Sequence, residues 1–274
     1  MRKLCTLLLD TMLLCLGCDW RLSNNDDNPD WLLSVSRYDR VQSLYLTTGD
    51  LSALQQMNTD YPQQTRTLIE DVLHLGRVNE PQINTKFLRF YQDSTLQTLI
   101  AESQRQYADM SDVNSQLSDA FERLLKELPD LCLPDVYTQV GSLDQSIVIS
   151  GDMLGISLDK YLGADYPLYR KYGYSLSQRQ TMQRDYIVPD AIAFYLLSLF
   201  PAPHAQDSLS SAPQSAPEAP EASQQQRDGH IGRIQWVVNR VTKRRHFNSP
   251  HVLAVDRYMK AHPHTTIRQL LTEG

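Results

Sequence analysis

The chain has 274 residues, a formal net charge of −6 and 41% hydrophobic residues. That length can bury the core of one domain, or of a domain with a subdomain. The acidic balance excludes the broad basic face that captures nucleic acid through its phosphates, so no nucleic-acid partner is expected.

Taken in chain order, residues 1–17 read as a signal peptide. Arg2 and Lys3 form a charged start, and the apolar stretch from Leu4 to Leu16 is too short to cross a bilayer core of roughly 30 Å as a helix. Leu16-Gly17-Cys18 resembles the lipobox of bacterial lipoproteins, in which Cys18 is acylated and becomes the first mature residue. The alternative is an ordinary signal peptide in which that cysteine is incidental. Of the four cysteines, Cys5 and Cys15 leave with the leader, and Cys18 and Cys132 alone cannot build a disulfide framework. Residues 18–30, polar and acidic, read as a tether between lipid and fold.

Helices dominate the chain beyond the tether. Leu68, Ile69, Val72 and Leu73 share one face of a helix over 65–75, with Gly76 at its C-terminal end. A second helix begins at a capping box, Ser94-x-x-Gln97, and carries Leu96, Leu99, Ile100 and Tyr107. A third runs from Val113 to Leu128 and is stopped by Pro129. Cys132 reads as a small, semi-buried apolar residue.

The period then changes to 2. Val136, Thr138 and Val140 share a face, a turn falls at Gly141-Ser142, and Gly151-Asp152 joins 146–150 and 153–158 as an antiparallel hairpin. This predicts a small antiparallel β-meander. A Tyr-rich loop (Tyr161, Tyr166, Tyr169, Tyr172, Tyr174) reads either as cover for the sheet or as a ligand or protein contact. Ser175-x-x-Gln178 opens a short helix. Pro189 sits in the first turn of another, which is apolar nearly all round to Phe200 and therefore buried or docked on a partner.

From 201 to 229 the composition turns to Pro, Ala, Ser and Gln, which predicts a disordered insertion. Beyond it, Ile231, Ile234, Val238 and Val241 form a helical stripe ringed by Arg233, Arg240, Lys243, Arg244 and Arg245, with no acid nearby in sequence. Two short helices, 252–260 and 266–271, close the chain. The fold class expected is α+β, mainly helical, with helices packed around the meander. A main domain spans 31–200, and a C-terminal helical segment, 230–274, packs on it.

Few residues carry chemistry. Seven histidines fall into no metal-binding spacing, and neither a phosphate-binding loop nor a nucleophile elbow is present. Asp159, Asp165 and Asp190 lie near the sheet, where carboxylates serve as caps or, alternatively, hold a metal or act as acid and base in a periplasmic hydrolase. A glycan-binding lipoprotein working through the Tyr loop is a further alternative.

Three segments together resemble a known family: Val136-Tyr137-Thr138, the run from Gly155 through Asp159-Lys160-Tyr161-Leu162-Gly163, and Asp185-Tyr186-Ile187-Val188-Pro189-Asp190. They are similar to the core signature of GldB, the gliding-motility lipoprotein of Bacteroidetes, and Tyr258-Met259-Lys260 with 266–271 is similar to its C-terminal end. The resemblance implies a non-enzymatic lipoprotein facing the periplasm, held in the membrane through Cys18. It would work in an envelope complex with gliding or type IX secretion components. No catalytic residue, metal or cofactor is carried over, and Asp159, Tyr161, Gly163, Asp165, Pro189 and Asp190 become candidates for its essential surface. The family is distantly similar to zinc peptidases with His-Glu-x-x-His at the helix after such a sheet, where this chain has Ile187-Val188-Pro189-Asp190.

Overall fold

Runs of β-branched and apolar residues make three short strands at the centre of the molecule: β1 (Asp135–Gln139), β2 (Ile147–Ser150) and β3 (Met153–Ser157). This is a computed structural model that describes residues 33–202 and 221–272. Cys18, the leader, the tether and residues 203–220 of the low-complexity stretch lie outside the described residues.

The β2–β3 hairpin pairs antiparallel as expected, with Ile149 opposite Leu154. The meander does not form. β1 joins the other edge of β3 and runs parallel to it, in the order β1-β3-β2, with Tyr137 opposite Gly155. Steric fit favours this register: a Cβ on Gly155 would lie 2.6 Å from the Tyr137 ring, so only glycine leaves room for that phenol beneath the central strand. Beyond β1, the backbone of Ser36 adds one bridge through Ser36 N–H to Val136 O (2.8 Å) and Thr138 N–H to Ser36 O (3.0 Å).

Alternation along the strands sends side chains into two cores, one on each face. Tyr137, Val148 and Met153 meet the N-terminal helices: α1 (Tyr38–Thr48), α2 (Leu51–Thr59), α3 (Pro62–Arg66) with a π-helical turn at Thr67–Val72, and α4 (Ile83–Phe90). Val140, past the end of β1, joins this core and not the one that holds Val136. Val136, Ile147, Leu154 and Ile156 face the other core. It is built with α5 (Ser94–Gln106), α6 (Ser111–Glu127), α9 (Ile187–Leu199), α10 (Glu221–Thr242), α11 (Pro250–Ala261) and α12 (Ile267–Thr272). Between β3 and α9 lie α7 (Pro167–Lys171) and α8 (Leu176–Thr181). The class is α+β and mainly helical.

Buried polar side chains tie α1 to β1. Asp39, fully buried, accepts from Arg37 (2.8 and 2.9 Å) and from the Thr138 hydroxyl (2.5 Å). Gln42 pairs with both backbone groups of Val140, at 2.8 and 2.9 Å, and so continues the ladder where the strand ends.

Several local expectations change. The helix after Gln92 is capped by Asp93, which accepts from Thr95 and Leu96 N–H, and Gln97 instead donates to Leu46 O and Tyr91 O. The box at Ser175 and Gln178 does form. Residues 65–75 become α3 and the π turn, and Gly76 lies beyond its end. Cys132 is exposed. The disorder expected over 201–229 fails for its last part, because α10 begins at Glu221. The Gln- and Arg-containing first turns there favour helix and extend one whose stripe of Ile234, Val237, Val238 and Val241 is buried. Ile231 stays exposed. Two of the five cations find acids from distant segments, Arg240 with Glu127 (2.8 Å) and Arg244 with Asp185 (3.5 Å). Among the described residues, no helix is long and apolar enough to cross a membrane.

Gly155→Ala is expected to lower stability by roughly 1–3 kcal/mol in urea unfolding through overpacking, and Tyr137→Leu in the same chain should return part of that loss.

Candidate functional site

The central signature follows β3 directly, and a 3-10 turn over Leu158–Lys160 turns its side chains in different directions. Asp159 is fully buried. Its two oxygens accept from the amides of Gly141 (2.7 Å) and Leu143 (2.5 Å), so the carboxylate fills a concavity of backbone N–H groups. Burial pushes this carboxyl up, and the two amides pull it partly back.

The loop so gripped is strained. Ser142 (φ 57°) and Leu143 (φ 64°) both lie in the left-handed region, at a cost of about 1–2 kcal/mol per residue. Hydrogen bonds to a charged acceptor contribute about 1.5–3 kcal/mol each, so the two made by Asp159 offset a strain of the same order. The carbonyl of Leu143 is held as well, by the Tyr174 hydroxyl (2.7 Å) and Lys160 Nζ (3.2 Å), and that ammonium lies 4.5 Å from the centre of the Tyr174 ring. Asp144 and Gln145 at the tip remain exposed. Beside them is a cleft of about 470 Å³ whose wall includes Leu143, His74, Phe90, Tyr172 and Tyr174.

Tyr161 points elsewhere. It is buried, and its hydroxyl donates to Asp190 Oδ2 (3.0 Å) in the first turn of α9, with Ser146 beside the same phenol. Burial drives the Tyr161 phenol well above its ordinary range, with the Asp190 charge adding to it. Asp190, partly buried, is pushed up to about 7 by desolvation, against the pull of the Tyr161 hydroxyl. Pro189 is buried in that turn. Gly163 (φ 112°) takes a conformation that side chains disfavour, and there its N–H reaches Met182 O (3.0 Å).

The expected surface therefore divides. Asp159 and Tyr161 are both buried, each on a different side of the 3-10 turn that follows β3. The Asp165 side chain is 98% exposed, with Arg179 4.0 Å from its carboxylate and Arg170 donating to its backbone carbonyl (3.4 Å). The three aspartates address different partners, and among the described residues no three His, Cys, Asp or Glu side chains come together to hold a metal. The Tyr loop divides too. Tyr169 is fully buried, donating to Asp159 O (2.7 Å) and accepting from Leu162 N–H (2.8 Å), while Tyr172 is exposed. What sequence reasoning missed is the loop itself, read as an ordinary turn, and the roles of Lys160 and Tyr174. Two non-glycine residues at positive φ leave no signature in sequence.

The profile of the family described as gliding motility protein GldB matches residues 23–212, more than half of the chain. The chain belongs to the GldB family. It is thus a gliding-motility lipoprotein of the cell envelope by family. Comparison with curated proteins and with solved structures returns no match to either. The GldB match covers both cores up to α9 and ends before α10, so the Asp159 clamp, the loop it holds and the Tyr161–Asp190 bond all fall inside it.

Asp159→Ala should cost about 3 kcal/mol by leaving two buried amides unpaired, and should speed hydrogen exchange at Gly141 and Leu143. Ser142→Gly removes a left-handed strain of about 1–2 kcal/mol against an unfolded-state entropy of about 0.4–1 kcal/mol, so it should add up to about 1 kcal/mol in urea unfolding.

Asp190 gives a pH test. Its folded-state pKa, near 7, is raised above the ordinary 3.8, so the folded protein holds a proton that the unfolded chain releases. Its contribution to stability therefore falls as pH rises from about 4 to about 7, with a slope no steeper than about 1.4 kcal/mol per unit, and is level above. In urea unfolding across this window, Asp190→Asn should gain on the parent protein as pH rises. An unchanging difference would refute the shift.

Proposed function

We propose that this GldB-family lipoprotein is a non-enzymatic component of the envelope machinery for gliding and its linked type IX secretion. On this reading it is held in the membrane through acylated Cys18, faces the periplasm, and presents the 141–145 loop to a protein partner. One observation carries the proposal. The buried carboxylate of the family signature, with two neighbouring polar groups, Lys160 and Tyr174, fixes one loop, whose tip residues Asp144 and Gln145 are left exposed. A scaffold needs a rigid recognition element, since pre-ordering a loop removes the entropy cost of ordering it on binding.

A second reading keeps the hydrolase alternative, in the reduced form of Asp190 with Tyr161 and Ser146. What favours it is a partly buried carboxyl near neutrality. Asp159 and Asp165 have no place in it. The glycan alternative keeps only Tyr172 and Tyr174 at the cleft wall.

The test is site-specific photocrosslinking from position 144 or 145 in the native envelope. The scaffold reading expects adducts with gliding or secretion components, which Cys18→Ala abolishes and Asp159→Ala weakens more than about tenfold. No adduct from a folded, membrane-anchored protein would sink it.

A further inference from the structure

A second cleft, of about 830 Å³, lies outside the family match, between α10, α11 and the turn that leads into α12. Its volume falls within the range of small-molecule sites, roughly 300–1,000 Å³. Its charge is opposite in sign to that of the chain as a whole. Arg233 from α10, His251 from α11, and His262 and His264 from the turn line it, and among the described residues no Asp or Glu does.

Arg233 is the informative member. Among the described residues its Nε is buried with no partner, and its Nη2 reaches the His230 ring at 3.5 Å. A guanidinium presents donors in a planar fork that matches a carboxylate or phosphate, and this one, half-buried and with no acid paired to it among the described residues, lacks the partner its chemistry calls for. Thr265 and Gln269 add neutral polar groups, and most of the remaining lining is apolar, with Val255 and Leu270 as buried side chains. At the rim Tyr258 stacks on His262, ring centres 4.3 Å apart and 25° from parallel. This pair gives an apolar body a flat face to lie against.

We propose that this cleft is a binding site for an amphipathic anion, a molecule with one carboxylate or phosphate head paired to Arg233 and an apolar body against Val255, Leu270 and the Tyr258–His262 pair. The site is independent of the 141–145 loop, which borders a different cleft with different lining residues.

Isothermal titration of the full chain in nonionic detergent tests it, with hexanoate, hexyl phosphate, inorganic phosphate and uncharged hexanol as probes. At least one of the two amphipathic anions should bind saturably, and hexanol and inorganic phosphate each about tenfold more weakly or not at all. Preference for hexanoate would point to a carboxylate head, and preference for hexyl phosphate to a phosphoryl head. Arg233→Gln should weaken the anion about tenfold or more, while Arg240→Gln, on the same helix but outside the cleft, leaves it unchanged. If Arg233→Gln does not fold, His264→Ala on the exposed rim serves instead, with about threefold weakening expected. Binding of neither amphipathic anion, equal binding of hexanol, or affinity untouched by the cleft substitutions would each overturn the proposal.

Discussion

The carboxylate of Asp159, buried at the end of β3 and closed on two loop amides, is the contact on which the rest of this architecture depends. The strand order makes it necessary. Because β1 and β2 lie on opposite edges of β3, the chain from Gln139 to Ile147 must pass around the end of β3, where Gln139 is level with Ser157 and Ile147 with Ile156. A passage that short holds Ser142 and Leu143 at positive φ and turns the amides of Gly141 and Leu143 inward. Those amides would be buried without partners if the next turn of chain did not supply a charge.

From that point the signature works outward. Lys160 and Tyr174 hold the loop's carbonyl, Tyr169 holds the backbone of Asp159 and Leu162, and Tyr161 reaches Asp190 to fix the start of α9. A helix apolar on nearly every side is thereby set across the second core, with Phe194 and Leu199 left exposed. The other face is secured in the same manner: Asp39 and Gln42 of α1 bond to Thr138 and Val140, so a buried polar contact locks each core to the sheet.

This arrangement changes what the family signature means. Residues that stand together in sequence are divided between two supports, one under a loop and one under a helix. On the proposed reading, function is borne by what is supported, in keeping with the general rule that recognition sits on loops placed by a rigid scaffold. The helices beyond the family match add a cleft of opposite charge character, built by a segment of the chain that the signature does not reach.

Much was legible in sequence. The long amphipathic stripe of α6, the capping box at Ser175, the β2–β3 hairpin and the burial of α9 are local or periodic properties, and those are written along the chain. So was the family, through its three motifs. The parallel partner of β1 was not, since alternation says which side chains share a face but not which strand lies alongside. Nor was the division of Asp159, Asp165 and Asp190, one buried, one 98% exposed and one against a phenol, because charge spacing along a chain carries no information about distance across it. The sequence alone determined the hairpin, several of the helices and the kinship; only the tertiary structure decided that a glycine at 155 admits the Tyr137 ring, that the next turn clamps a loop, and hence which loop residues are left exposed.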